Sequence, residues 1–382
     1  MTSASTRSTH SSPDPRPLAD VFCRVIDNLG DIGVCWRLSA VLAAQGWRVR
    51  LWADDLSALQ WMAPDGPGRA HIELCEWQSA SDPKRLAQLA PAQLWVEAFG
   101  CELPEAFVAH AVRTRSSPPE WVNLEYLSAE DWVLRMNGLP SPVLSGPAKG
   151  WTKRFVFPGF KPGTGGLLRE ADLLERQARF DADDWLRSLG LPLQAQALRL
   201  SLFCYEPPFL AAWLDQLTHP GHPTIDVLIT PGRAQRAWTD ACKHLGWASP
   251  PPGLRAHPLP WLSQIEFDHL LWSCDLNLVR GEDSLVRALW AGKPLLWQLY
   301  PQDDAAHHTK LEAFLHTLNA PPAWADLHRL WNGAQPVDAS RRQLNQWLSA
   351  DSMQAAGNAV RRLRDSTLNL PPLQASVIAT TR

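Results

Sequence analysis

The sequence predicts an α/β protein of two Rossmann-like, parallel-sheet domains facing each other across a cleft. Three observations carry this. Two separate runs alternate apolar strand segments with helical ones, the first beginning near Ala19 and the second near Ala197. A stretch dense in Pro, Gly and Ser, MNGLPSPVLSGPAKGW from Met136, parts them. The length of 382 residues allows about two or three domains.

Residues 1–16, MTSASTRSTHSSPDPR, have no apolar core and read as a disordered tail rather than a signal peptide. Ala19–Ile26 reads as a buried strand, Asp27–Gly33 (DNLGDIG) as a turn, and Val34–Ala44 as a helix stopped at Gly46. Trp47–Ala53 is the next strand and closes a βαβ unit. Strands at Ile72–Trp77, Leu94–Ala98 and Trp121–Tyr126 extend a first domain over 17–165, with Phe155–Phe160 as one more strand. A linker region over 166–196 holds a helix, Leu167–Leu189, charged along one side.

The second domain covers 197–350. Its strands are Leu198–Tyr205, Thr224–Thr230, Leu254–His257, Asp275–Val279 and Pro294–Gln298. Helices Pro208–Leu217, Arg233–Leu245, Leu262–Ser273 and Asp283–Ala291 alternate with them, the last stopped by Gly292. Late helices fit His308–Leu318, Asp338–Leu348 and Ser352–Leu363, and 368–382 reads as a loose tail. In open parallel sheets ligands sit outside the carboxyl ends of the strands, so the cleft between domains is the expected site.

Composition excludes several classes. Hydrophobic residues at 45% and charged ones at 20% are an ordinary globular balance, not that of a disordered or fibrous chain. Thirty-six Lys and Arg against 39 Asp and Glu leave a net charge of −3, which speaks against a general nucleic-acid binder. Seven widely spaced cysteines without a C-x-x-C argue against a disulfide framework or a zinc site and point to a reducing cytosol. No run approaches the ~20 apolar residues of a membrane span, so a cytoplasmic protein without membrane partners is expected. The 20 Trp are scattered and read as packing residues.

Three constellations carry possible chemistry. Asp27-Asn28-Leu29-Gly30-Asp31-Ile32-Gly33 lies between a strand and a helix. It is not the G-x-G-x-x-G dinucleotide fingerprint, and its two carboxylates suit a cation, a guanidinium or a proton to be removed. Turn formation and N-capping explain the same residue types equally well. Arg280-Gly281-Glu282-Asp283-Ser284 follows a strand and opens a helix; Arg280 and the helix start suit a phosphate, while Asp283 or Ser284 also serves as a cap. Phe203-Cys204-Tyr205 ends a strand, where aromatics stack on a planar base or pack on their own core. Asp181-Ala182-Asp183 has the D-x-D spacing of some metal sites but lies on a charged helix and reads as a solvated face. His307-His308 reads as a helix start.

At these residues the chain resembles one family. FCRVIDNLGDIGVCWRL, PPEWVNLEYLSAEDWV and LNLVRGEDSLVRALWAGKPLLWQLYPQ are similar to segments of the bacterial protein-arginine rhamnosyltransferases of the EarP family, and the resemblance runs from about Ala19 to about Leu363. It implies a GT-B glycosyltransferase, with a helix over 351–367 returning to the N-terminal domain. It implies dTDP-β-L-rhamnose as donor, an arginine of translation elongation factor P as acceptor, inversion at the anomeric carbon, and no metal or other cofactor. By the same resemblance Asp31 is the general base and Asp27 its orienting partner, in an order that stays open, and Glu282 is the essential glutamate. Asn28, Gly30, Phe203, Tyr205, Gln264, Phe267, Arg280, Gly281, Asp283 and Ser284 fall at donor-binding positions. A GT-B enzyme with another donor or acceptor, a non-catalytic cleft-binding module and a nicotinamide-dependent reductase are the competing readings.

Overall fold

The computed structural model describes residues 14–27, 29–63, 69–192, 194, 196–219, 223–302, 305–336 and 347–379. Most of the tail over 1–16, Asn28 and most of the helix expected at Asp338–Leu348 lie outside the described residues.

The first domain is a seven-stranded sheet. Its strands are β1 Leu18–Cys23, β2 Arg48–Ala53, β3 Ile72–Glu76, β4 Leu94–Ala98, β5 Glu120–Leu124, β6 Pro140–Pro142 and β7 Thr152–Val156. They run in the order β3-β2-β1-β4-β5-β7-β6, parallel except for β6 against β7. The second is a five-stranded parallel sheet of β8 Leu198–Leu202, β9 Ile225–Ile229, β10 Leu254–Pro258, β11 Leu276–Arg280 and β12 Leu295–Gln298, in the order β10-β9-β8-β11-β12. The strand order reverses between β1 and β4 and between β8 and β11. Those switch points are where open sheets of this kind bind ligands.

Burial explains the strand pattern. All of β1 (LADVFC) is buried, so it reads as a continuous apolar run rather than an alternating one. Asp20 within it is matched by Arg50 (2.6 and 2.8 Å) and the Trp52 indole N–H (2.8 Å), the pairing that a buried carboxylate requires. Each sheet has its own core, and a third cluster joins Leu127, Phe160 and Leu167 to Trp290, Phe314 and Val360 of the second domain. Many of the tryptophans are packing residues as expected, with Trp52, Trp95, Trp290, Trp324, Trp331 and Trp347 fully buried. The seven cysteines are free, and Cys242 alone among them is half-buried rather than buried. No helix of the described residues is long and apolar enough to cross a membrane.

Several expectations need correction. The Pro- and Gly-rich stretch after Met136 is not only a linker, because it supplies β6 and β7 to the first sheet. The strand expected at Phe155–Phe160 is Thr152–Val156: its polar start is held by Lys153 on the buried Glu97 (2.7 Å) and Arg154 on Glu120 (3.2 Å), which periodicity does not reveal. The Leu167–Leu189 helix is two helices, Leu173–Arg179 and Ala182–Ser188. Asp181 breaks the run by capping the second through the Asp184 N–H at 2.9 Å. Asp183 pairs with Arg199 on the surface, so the D-x-D is a cap and a solvated ion pair. A helix over Pro322–Trp331, opened by Pro at its first position, was not expected.

The C-terminal expectation changes most. Helix Ala350–Leu368 packs Ala359, Val360 and Leu363 into the cluster around Trp290, on the second domain. The loose tail expected over 368–382 is not one in its described part, 368–379. It holds helix Leu373–Ile378, which buries Leu373 and Val377 in the first domain's core and makes the return. Leu373 N–H donates to Leu167 C=O (3.0 Å) and the Gln374 amide to Arg169 C=O (2.7 Å). Gly166, at φ +76°, lets the chains cross: a Cβ there would stand 2.1 Å from the Pro371 carbonyl oxygen.

Candidate active site

The interdomain cleft has an apolar lobe and a polar lobe, and Asp27 and Gly30 line both. The polar lobe has a volume of about 760 Å³, within the ~300–1,000 Å³ usual for small-molecule sites. Asp27, Asp31, Glu282, Lys310, Tyr126 and Tyr300 stand on its wall. The apolar lobe, walled by Phe203, Phe267, Trp61, Trp261 and Arg280, holds about 80 Å³. Trp61 of the first domain lies on Trp261 of the second, centroids 4.5 Å apart and planes 38° apart, even though Trp261 remains 51% exposed.

The loop after β1 builds the acidic side. Helix Gly30–Ala44 starts earlier than the periodicity indicates, which puts Asp31 in its first turn. Asp31 Oδ2 accepts the N–H groups of Ile26 (2.9 Å) and Asp27 (3.0 Å), folding the loop back over the helix start. Burial, assisted by the negative charges of Asp27 and Glu282, pushes its carboxyl up to about 6 despite those two bonds. Asp27 Oδ2 accepts the Tyr205 hydroxyl at 2.6 Å, across the cleft. Burial and the Asp27 carboxylate push that phenol well above its usual range.

The loop after β11 builds the other side. Helix Gly281–Ala291 begins at Gly281, whose φ of +69° suits glycine. A Cβ there would lie 3.1 Å from Asp27 Oδ2, and one at Gly30 would lie 2.7 Å from the same oxygen, so two glycines leave room for one carboxylate. Glu282 accepts the Leu127 N–H (2.7 Å) and Lys310 Nζ (2.7 Å). Arg280 is buried over the rings of Phe203 (4.7 Å) and Tyr205 (4.4 Å), and its Nη1 has no hydrogen-bond partner. Burial lowers its pKa although the Asp27 carboxylate is near, and the unpartnered Nη1 leaves a donor that suits an anion.

The structure brings Asp27, Gly30, Asp31, Gly281 and Glu282 to the polar lobe and Phe203, Gln264, Phe267, Arg280, Asp283 and Ser284 to the apolar one. Tyr205 is fully buried and reaches the site through its hydroxyl. Phe203 and Phe267 meet edge to face at 5.2 Å. Gln264 donates to Gly33 C=O (3.0 Å) across the cleft, and Ser284 Oγ donates to Arg280 C=O. Asp283 is committed to Arg37 (3.0 Å) and Arg287 (2.8 Å), so its carboxylate is an ion-pair centre and only its backbone is left for a donor. His307 opens helix Ala306–Leu318 with its ring accepting the Gln302 N–H. Lys310, Trp61, Trp261 and Tyr126 were missed in the sequence; they sit on elements whose cleft-facing side only the docking of the domains defines. Among the described residues no group of three or more His, Cys, Asp and Glu side chains is set to hold a metal ion.

Comparison with known proteins finds relatives over most of the chain. Residues 19–379 match the family described as Elongation-Factor P (EF-P) rhamnosyltransferase EarP. A protein-arginine rhamnosyltransferase of Pseudomonas putida is 46% identical over 333 residues, 82% of this chain and 86% of that protein. One of Pseudomonas aeruginosa is 43% identical over 349 residues, 86% of this chain and 91% of that protein. A solved structure from work on EarP-mediated arginine glycosylation of translation elongation factor EF-P superposes with a TM-score of 0.62 at 31% identity, over 96% of this chain and 99% of that one. The spinosyn rhamnosyltransferase SpnG, at 14% identity and a TM-score of 0.52 over 96% of this chain and 99% of that one, shares the fold.

Proposed function

From the premise that the chain belongs to the EarP family and has its GT-B fold, and so is a protein-arginine rhamnosyltransferase, we propose that it moves L-rhamnose from dTDP-β-L-rhamnose to an arginine of elongation factor P. The observation that carries the reading is the pairing of lobes. Three carboxylates face one lobe, a guanidinium with an unpartnered Nη1 faces the other, and the lobes meet at Asp27 and Gly30. The acidic lobe suits a cationic acceptor, and the Arg280 lobe suits a nucleoside diphosphate.

An arginine side chain is a poor nucleophile because its lone pairs are delocalised and its pKa lies above ~12. In this mechanism Asp27 orients the guanidinium and Asp31 takes a proton from the attacking nitrogen. That nitrogen bonds to the anomeric carbon as the bond from that carbon to the diphosphate oxygen breaks, and the electron pair leaves with dTDP. Attack from the face opposite the leaving group inverts the configuration. The transition state has oxocarbenium character, by analogy with glycoside hydrolysis. Arg280 and the helix start at Gly281 take up the charge on the departing diphosphate. Glu282, fixed by Leu127 and Lys310, holds the sugar. Phe203 and Phe267 flank the base with Gln264 beside it, Tyr205 stands near the phosphates, and the Asp283–Ser284 backbone belongs to the diphosphate turn. The scheme uses side chains and backbone for each charge and calls on no metal. An elongation-factor acceptor makes the cytoplasm the working compartment.

The test is the acceptor's intact mass after incubation with dTDP-L-rhamnose. One added deoxyhexose mapped to arginine supports the reading. Asp31→Asn is expected to keep donor affinity and lose transfer by a factor on the order of 100–10,000. Near-normal turnover by that variant removes Asp31 as base.

A further inference from the structure

Arg37 lies further along the helix that carries Asp31, on the side facing the second domain. Its guanidinium uses three directions at once. Nε and Nη2 grip Glu170 (2.5 and 2.8 Å), and Nη1 donates to Asp283 Oδ1 (3.0 Å), the residue after Glu282. The other Asp283 oxygen takes Arg287 Nε at 2.8 Å. Arg287 continues to Asp268 (2.8 Å), and Arg176 stands 3.6 Å from the second Asp268 oxygen. Three guanidinium groups thus meet three carboxylates, and the side chains of Arg37, Arg287 and Asp268 are 2–3% exposed.

A buried lattice of this kind adds little net stability, because removing the charges from water offsets most of their attraction. Its value is directional. A planar guanidinium satisfies two carboxylates only when both are correctly placed. One of these carboxylates belongs to the linker region and the other to the helix that starts beside Arg280. The neighbouring tie from Gln264 to Gly33 C=O joins the same first-domain helix to a different second-domain helix, Gln264–Ser273.

We propose that Arg37 is a positioning residue, which holds Asp31 on the first domain and Glu282 on the second at the one spacing that transfer needs. This rests on the rhamnosyl transfer proposed above. Arg37 itself touches neither lobe of the cleft; it acts through Asp283.

The experiment compares the wild type with Arg37→Lys and Glu170→Gln. Lysine keeps the charge but offers a point donor that cannot serve both carboxylates in one plane. Turnover is expressed per donor site, with the sites counted by calorimetric titration with dTDP, so that unfolded molecules drop out. For Arg37→Lys, kcat per site falls on the order of 100-fold. Its dTDP affinity and donor KM stay within about threefold, because Phe203, Phe267 and Arg280, which take the nucleotide and its diphosphate, stand on the second domain. Glu170→Gln, which leaves the lobes untouched, gives a smaller drop of the same kind.

Unchanged kcat per site with only a lower melting temperature overturns the proposal, and so does a loss of dTDP affinity parallel to the loss of kcat. Small-angle scattering of the dTDP-bound proteins supplies a readout independent of transfer. Arg37→Lys widens the distribution of domain separations, and a distribution identical to that of the wild type overturns the proposal. A wild type that binds dTDP but transfers nothing refutes the function, and the scattering then decides the role of Arg37 alone.

Discussion

Asp31 shows how a residue can be chosen against the fold that holds it. Its carboxyl titrates near 6 in the folded protein, against ~3.9 in an unfolded chain, because it is buried and faces Asp27 and Glu282. The native state therefore binds that proton more tightly than the unfolded state. The cost of ionising it grows as pH rises from about 4 to about 6 and is complete above that. Asp31→Asn retains an oxygen for the Ile26 and Tyr205-facing Asp27 amides, so at pH 8 it should stabilise the protein by roughly 1–3 kcal/mol while abolishing transfer. Melting temperatures of both proteins across pH 4–8 check this: the gain should vanish near pH 4. With Asp31 as the base proposed above, the same titration should set the acid limb of the rate. A profile of kcat/KM against pH should fall below about 6, where Asp31 becomes protonated and can no longer accept a proton. Asp27, Asp31 and Glu282 were legible in the sequence because they follow strands and open helices, where turn chemistry and catalysis share residue types. Lys310 and Arg37 were not, because a lone cation on a helix acquires meaning only from the partner it meets across the chain.

Secondary structure was legible where apolar runs are continuous and blurred where polar residues do the packing. Strand β4 was placed to the residue, since all of LWVEA is buried. Strand β7 was misplaced because Lys153 and Arg154 satisfy acidic partners inside and beside the sheet. The last helix escaped notice because LQASVI is short and follows Pro371-Pro372, a combination that reads as an irregular end. Its junction gives a sharp prediction. Gly166→Ala places a Cβ against the Pro371 carbonyl and demands a left-handed φ of +76° from an L-residue. It should cost roughly 2–4 kcal/mol in urea unfolding, with the last helix losing amide-exchange protection first. A midpoint equal to that of the wild type would mean that the crossing has slack.

At the scale of the whole molecule the two-domain architecture was legible from the repeated strand–helix alternation and the break between the halves. The pairing of the halves was not, because it depends on single side chains. Tyr205 reaches Asp27, Gln264 reaches Gly33, and Glu282 reaches the Leu127 amide. Each of these bonds joins a group of the second domain to the first, so residues proposed for the site also hold the two domains together. Tyr205→Phe removes one such bond while keeping the ring over Arg280. It should lower kcat about tenfold, a charge-assisted bond being worth roughly 1.5–3 kcal/mol, and leave the melting temperature of the separate domain cores nearly unchanged. Steady-state kinetics and calorimetry together check this.

The Trp61–Trp261 stack gives the enzyme an optical signature. Two indoles held 4.5 Å apart and tilted by 38° couple their electronic transitions, and a coupled pair produces a bisignate circular-dichroism band that neither ring gives alone. One ring belongs to each domain, so the band exists only while the domains hold the two rings together. The molecule thus reports any separation of its domains in unlabelled form, through light absorbed by side chains on the wall of the apolar lobe.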